Sequence, residues 1–212
     1  MVIIVDRAVI RQGVSRRLLS GDVGTALLIV DVQNDFAEGG ALGVTGGTAV
    51  AEGVTALLRD HRDDYAVVIA SRDWHDADSD NGGHIVLEGE PDFVTTWPPH
   101  CIAGTHGADY HPAFDTSSVE VEIYKGRGEP AYSAFEGATD DGTSLADVLR
   151  QRGIDTVEVV GLATDYCVRA SALDALGSGV AVRVRRDLVA GVAEETSAAA
   201  VEEMVAAGAE FV

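Results

Sequence analysis

The chain has only two cysteines, Cys101 and Cys167, among its 212 residues. That excludes a disulfide framework and suits a reducing compartment, leaving packing, metal ligation or catalysis as a cysteine's uses. No apolar run approaches the roughly 18 residues of a membrane span. The opening run Met1-Val2-Ile3-Ile4-Val5 is short and follows no basic segment, so it is not a signal peptide. A cytoplasmic location is expected. Basic residues are scarce as well: 15 Lys and Arg against 35 Asp and Glu, a formal net charge of −20. So acidic a chain is not expected to partner nucleic acid or an anionic membrane. What is present is 46% apolar and rich in Val and Ala, a globular composition long enough for one sizeable core.

Strand and helix patterns alternate along most of this length. Residues 1–24 stand apart as an N-terminal extension: 2–5 suit an edge strand and 7–19 a basic amphipathic helix, before Gly21 and Gly24 break the chain. The domain proper is expected over 25–212. Short runs at 26–30, 65–70 and 157–160 read as buried strands, and 119–124 and 180–184 as further strands, with a last short one at 209–212. Helical patterns fall at 49–62, 144–152, 164–176 and 193–207, with Ser144 as an N-cap and Gly153, Gly177 and Gly208 as stops. The alternation predicts a single-domain, three-layer α/β/α fold whose doubly wound, mainly parallel sheet has about six strands. In such folds ligands sit beyond the carboxyl ends of the strands, where strand order reverses. Asp31 ends the first strand, Lys125 the third, and Cys167 lies just past the fourth. Chance would scatter such groups over both rims.

Cys167 sits in Val159-Val160-Gly161-Leu162-Ala163-Thr164-Asp165-Tyr166-Cys167-Val168-Arg169, a strand, a sharp turn and a helix start. Thr164 is expected to cap that helix. A thiol about three residues past the cap would have its pKa lowered by the free N–H groups and the helix dipole. A lone cysteine is as readily a small buried apolar residue, but Asp31 and Lys125 supply a base and an orienting cation on the same rim. Asp31 would take the thiol proton and later return it to the leaving group; Lys125 would keep Asp31 ionised. The backbone N–H groups of Ala163 and Cys167 are the natural oxyanion donors.

A second constellation is Asp73-Trp74-His75, then His84, then His100. Asp73 and His75, two apart on extended chain, point to one side. Three imidazoles and a carboxylate suit one divalent ion: zinc, iron or manganese. The long segment 73–116 that carries them is longer than most connections in a compact domain, which marks it as functional. His61, His106 and His111 are expected at the surface, and Cys101 as a packed loop thiol. Asp76, Asp78 and Asp80 alternate like a calcium loop, but the required Gly and Glu do not follow. Gly126-Arg127-Gly128-Glu129-Pro130-Ala131 imitates a dinucleotide fingerprint, which Pro130 and the missing helix rule against.

Five motifs together carry a family resemblance: Ile29-Val30-Asp31-Val32-Gln33-Asn34-Asp35-Phe36, Asp73-Trp74-His75, Trp97-Pro98-Pro99-His100-Cys101, Tyr124-Lys125-Gly126 and Gly161-Leu162-Ala163-Thr164-Asp165-Tyr166-Cys167-Val168. In this order, over about residues 25–212, the chain resembles the bacterial nicotinamidases (pyrazinamidases) of the isochorismatase-like cysteine hydrolases. The resemblance implies a Cys167–Asp31–Lys125 triad and a metal held by Asp73, His75, His84 and His100 against the pyridine nitrogen of nicotinamide. It implies that Phe36, Trp97 and Tyr132 pack on the ring and that the Leu162–Ala163 bond is cis. The expected reaction is hydrolysis of nicotinamide to nicotinate and ammonia in NAD salvage, with pyrazinamide hydrolysed likewise, by a monomer or homo-oligomer. The alternative is a superfamily amidohydrolase for a carbamoyl or ureido substrate, whose relatives generally lack the metal loop. Three features depart from the family pattern. The His75–His84 spacing is longer, Tyr166 stands in the pocket wall where a His often precedes the nucleophile, and the segment before Thr25 has no counterpart.

Overall fold

A computed structural model of the chain describes residues 24–212. The strand and helix expected within 1–24 lie outside the described residues. Six strands form one all-parallel sheet: β1 Gly24–Val30, β2 Val67–Asp73, β3 Val121–Lys125, β4 Ile154–Leu162, β5 Ala181–Ala190 and β6 Glu210–Phe211. Four helices of two turns or more connect them: α1 Gly47–His61, α2 Leu145–Arg152, α3 Arg169–Gly177 and α4 Glu194–Ala207. None is long and apolar enough to cross a membrane.

Burial on both faces explains the continuous apolar runs. Along β1, Ala26, Leu28 and Val30 enter the core that contains Leu145, Val148, Ala172, Ala200 and Met204 of α2, α3 and α4. Leu27 and Ile29 point the other way, into the core formed with Val50, Ala51, Val54, Leu57 and Leu58 of α1. This period-2 division makes the three layers.

The strand order is β3-β2-β1-β4-β5-β6. The chain therefore winds outward from β1 through β2 to β3, then returns to β4 and winds the other way. The reversal lies between β1 and β4, where two connections diverge and leave a crevice at the strands' carboxyl ends. Asp31 leaves β1 and Cys167 follows β4 at this crevice.

Several elements differ from the sequence expectation. β5 extends to Ala190, well past 184; the charged Arg185-Arg186-Asp187 interrupts its apolar pattern there. The segment 74–116 carries single bridges, His75 to Ile102, Ile85 to Trp97 and Gln33 to Tyr110, too short to leave a sequence period.

Candidate active site

Register brings the carboxylates and the lysine together. β2 and β3 pair with Asp73 directly beside Lys125, the last residue of each strand. Asp31 adjoins them from β1: its N–H donates to the Ser71 carbonyl at 3.2 Å, and its side chain accepts the Ser71 hydroxyl at 2.7 Å. Lys125 Nζ lies 2.8 Å from Asp31 Oδ2, pairs also with Asp73 Oδ1, and stands 3.6 Å from Cys167 Sγ. All four residues are buried. Asp31 has φ +49°, a left-handed conformation uncommon outside Gly.

The charges set one another. Burial alone would raise Asp73, but Lys125, His75 and His100 together outweigh it and hold that carboxyl well below its ordinary range. Burial would likewise lower Lys125, yet Asp31 and Asp73 hold it protonated, well above the usual lysine value. Asp31 goes the other way: burial raises its pKa, Lys125 pulls it down, and the neighbouring Asp73 charge raises it further. A carboxyl so raised is a better proton acceptor than an ordinary aspartate.

The thiol corrects an expectation. Burial pushes Cys167 well above the usual thiol range; Lys125 opposes this, while Asp31 and Asp73 add to it. Cys167 also does not lie in the first turn of an α-helix. Residues Thr164–Val168 form a π-helical turn that precedes α3. Nor does Thr164 act as a cap, since no side chain caps this turn. The Ala163 carbonyl instead accepts from Tyr166 and Val168 N–H at 3.0 and 3.1 Å. The preceding Leu162–Ala163 bond is cis. Gly161 has φ +120°, and a side chain there would overlap the Val30 backbone.

The neighbouring cluster contains the ligating atoms of His75, His84 and His100, all within 4.8 Å of one another and buried. Asp73 Oδ2 lies 3.7 Å from His75 Nε2 and 3.8 Å from His100 Nε2. The Gly126 carbonyl accepts from His75 Nδ1 at 2.8 Å, and the Pro98 carbonyl from His100 Nδ1 at 2.8 Å. Both rings are thereby fixed with the Nε2 lone pair turned inward. His75 Nε2 and His84 Nδ1 are buried without a hydrogen-bond partner. Burial and the other two imidazoles lower His84 to about 4, so it is neutral at physiological pH. Convergent imidazoles beside an ionised carboxylate, two of them with an unpartnered buried nitrogen, suit a divalent metal.

Above both groups opens a cavity of about 300 Å³. Phe36, Trp97, Tyr132 and Tyr166 line it, as do Ala163 and Cys167. Trp97 Nε1 donates to the Tyr132 hydroxyl at 3.0 Å, and Tyr132 stacks on Tyr166 with centroids 6.2 Å apart. Every predicted site residue is thus brought to one place. Cys101 stands aside: its N–H donates to Asp35 at 2.7 Å and its thiol points to the Gly107 carbonyl. His61 and His106 are exposed, but His111 is half-buried, because its ring accepts the Ala113 N–H at 3.2 Å.

Three supporting residues escaped the sequence reading. Gln33 is fully buried and bonds Asp73 twice, accepting from its N–H and donating to its carbonyl, each at 2.9 Å. Asn81, also fully buried, accepts from Asp76 and Gly128 N–H at 2.8 and 3.2 Å and so sets the turn before His84. Asp165 accepts from Val192 and Ala193 N–H at 3.0 and 3.3 Å, and so caps α4 from the nucleophile's own turn. Within the quoted motifs Gln33 and Asp165 carried no chemistry of their own, and only the fold reveals their targets.

Residues 25–212 match the isochorismatase domain model. The chain belongs to the isochorismatase family. It is 52% identical to the nicotinamidase/pyrazinamidase of Mycobacterium tuberculosis, over 88% of this chain and 97% of that protein. It is 40% identical to the nicotinamidase of Escherichia coli, over 87% and 92%. Among solved structures it is similar to the pyrazinamidase of Pyrococcus horikoshii in complex with zinc, at 37% identity and a TM-score of 0.75, covering 89% of this chain and 98% of that one. It is also similar to PnC1 of L. infantum in complex with nicotinate, at 34% identity and a TM-score of 0.76, covering 91% and 93%. Family and fold therefore agree with the resemblance carried by the motifs.

Proposed function

We propose that the chain is a metal-dependent nicotinamidase of NAD salvage, hydrolysing nicotinamide to nicotinate and ammonia and pyrazinamide likewise. The supporting observation is the juxtaposition of a Lys125-bridged Asp31 and Cys167 with the three-imidazole cluster, at the floor of one aromatic cavity. Relatives named nicotinamidase or nicotinamidase/pyrazinamidase at 52% and 40% identity support the same reading.

The residues divide the work as follows. Asp73, His75, His84 and His100 would hold a divalent ion, for which zinc, iron and manganese all suit the donors. Bound there, it supplies a Lewis-acid contact that orients the pyridine nitrogen. Phe36, Trp97, Tyr132 and Tyr166 clasp the ring and exclude water. Asp31 takes the Cys167 proton, so a thiolate forms only as it attacks the amide carbon. The new C–S bond pushes charge onto oxygen, where the Ala163 and Cys167 N–H groups receive it. Collapse breaks the C–N bond, and Asp31 returns its proton to the departing nitrogen, which leaves as ammonia. Asp31 then deprotonates a water that attacks the thioester; the C–S bond breaks, the sulfur regains a proton and nicotinate departs. Lys125 opposes the burial that raises Asp31 and so favours its ionised form between steps.

The test is ammonia release from nicotinamide by the metal-loaded protein, the chelator-stripped protein and Cys167→Ala. Release only from the first is expected. Absence of release from metal-loaded wild type sinks the substrate assignment, and release from Cys167→Ala sinks the mechanism. Metal content also separates this reading from the carbamoyl or ureido alternative.

A further inference from the structure

Two half-exposed apolar side chains at the cavity mouth take no part in these steps. Phe93 and Val192 both line the cavity, yet are 53% and 56% exposed. Neither is placed by the core. Phe93 has φ +56°, a left-handed conformation that is an outlier for a bulky side chain. A tight turn imposes it: the Asp92 carboxylate accepts from Val94, Thr95 and Thr96 N–H at 2.9, 2.8 and 2.8 Å, and the Thr96 carbonyl accepts from Phe93 N–H at 3.1 Å. The ring so held meets the Trp97 indole edge-on, with centroids 6.3 Å apart. Val192 is fixed through its own N–H, which donates to buried Asp165 at 3.0 Å. Both rim residues are therefore positioned by backbone hydrogen bonds.

The orientation of the substrate follows from the nicotinamidase reading, on which this step rests. Carbon 3 carries the amide and must face Cys167, while ring nitrogen 1 faces the histidine cluster. Both anchors lie at the floor, joined through Lys125, which stands 3.6 Å from Cys167 Sγ and pairs with Asp73. On a six-membered ring, carbon 2 lies between these two anchored atoms. Carbon 5, opposite it, must point away from the floor and toward the mouth. We infer that Phe93 is a specificity-determining residue: with Val192 it closes the mouth over the carbon 5 edge and restricts the site to single-ring amides unsubstituted there.

The experiment compares kcat/KM for nicotinamide and 5-phenylnicotinamide on metal-loaded wild type, Phe93→Gly and Phe93→Ala. Calorimetry of nicotinate and 5-phenylnicotinate binding is read alongside. Glycine accepts φ +56° without strain, so the first variant keeps the turn. Both variants are expected to raise the ratio of 5-phenylnicotinamide to nicotinamide turnover about tenfold or more, and to tighten 5-phenylnicotinate relative to nicotinate. Val192→Ala is expected to shift both in the same direction. An unchanged ratio, or an equal loss on both substrates, overturns the role of Phe93 while nicotinamide turnover still stands. No nicotinamide turnover by wild type overturns the nicotinamidase reading, and this inference with it.

Discussion

Lys125 is the bulkiest of the fully buried side chains, and its ammonium is what allows two carboxylates to share that interior. Lys125→Ala would leave Asp31 and Asp73 buried without a counter-charge, a loss of about 3–5 kcal/mol in comparable buried pairs. The variant should lose most activity and also shift its urea midpoint downward; an active, fully stable Lys125→Ala protein would refute the role given to this side chain. Cys101→Ala is the contrasting case. What Cys101 contributes is its backbone N–H to Asp35, which alanine retains, so most activity should remain in an ammonia-release assay. Asp31, Lys125 and Cys167 were legible because each ends or follows a strand pattern on one rim of the sheet, where a functional group needs no other reason. Gln33, Asn81 and Asp165 were not, since a polar side chain in a loop has an ordinary use until its distant partner is known. The direction of the Cys167 shift was equally hidden, because it depends on burial and on two carboxylates that only the sheet register brings near.

The helices show where local signals suffice and where they fail. α2 is capped as its sequence announces: the Ser144 hydroxyl accepts from Asp147 N–H, and Gly153 ends it with φ +65°. α1 and α4 borrow caps from elsewhere. Glu38 accepts from Gly46 and Thr48 N–H at 2.6 and 2.8 Å, and also from the Thr48 hydroxyl. Those donors lower its pKa from 4.5 to about 2. A depressed carboxylate contributes stability that is complete above its unfolded value and lost as pH falls through its folded value. Glu38→Ala should therefore be less stable than wild type at pH 7, and the difference should close between about pH 4.5 and about 2 in paired denaturation curves. A gap independent of pH would contradict the cap. Asp165 caps α4 from inside the protein. Asp165→Ala strands two N–H groups and the Thr196 hydroxyl, a cost of about 2 kcal/mol, and Asp165→Asn should recover part of it in urea titrations. Such borrowed caps lie 8 to 31 residues from the donors they serve, beyond the reach of a local pattern.

At the scale of the whole molecule, alternation of strand and helix was enough to imply the parallel sheet, and the sheet was enough to imply one active rim. The exact order of strands was not legible, because the same alternation fits several windings and only packing selects among them. The segment 74–116 was legible in composition but not in shape. Its single bridges and turns have no period, and its arrangement converges on His75, His84 and His100. This convergence has a consequence for stability. Three ligands on that segment and Asp73 at the end of β2 form a donor set only when folded, so a divalent ion binding it stabilises the native state by mass action. At a thousandfold excess over its dissociation constant the gain is about 4 kcal/mol, or roughly 10 °C in melting temperature for a chain this size. Chelator-stripped protein should melt lower by that order, and zinc should restore the difference in wild type but not in His84→Ala. Limited proteolysis should register the same event. Stripping should expose the span 86–96, where Leu87, Phe93 and Val94 already face solvent, and early cleavage should fall there. Melting and cleavage unaffected by chelation would show that the three imidazoles are held by packing alone.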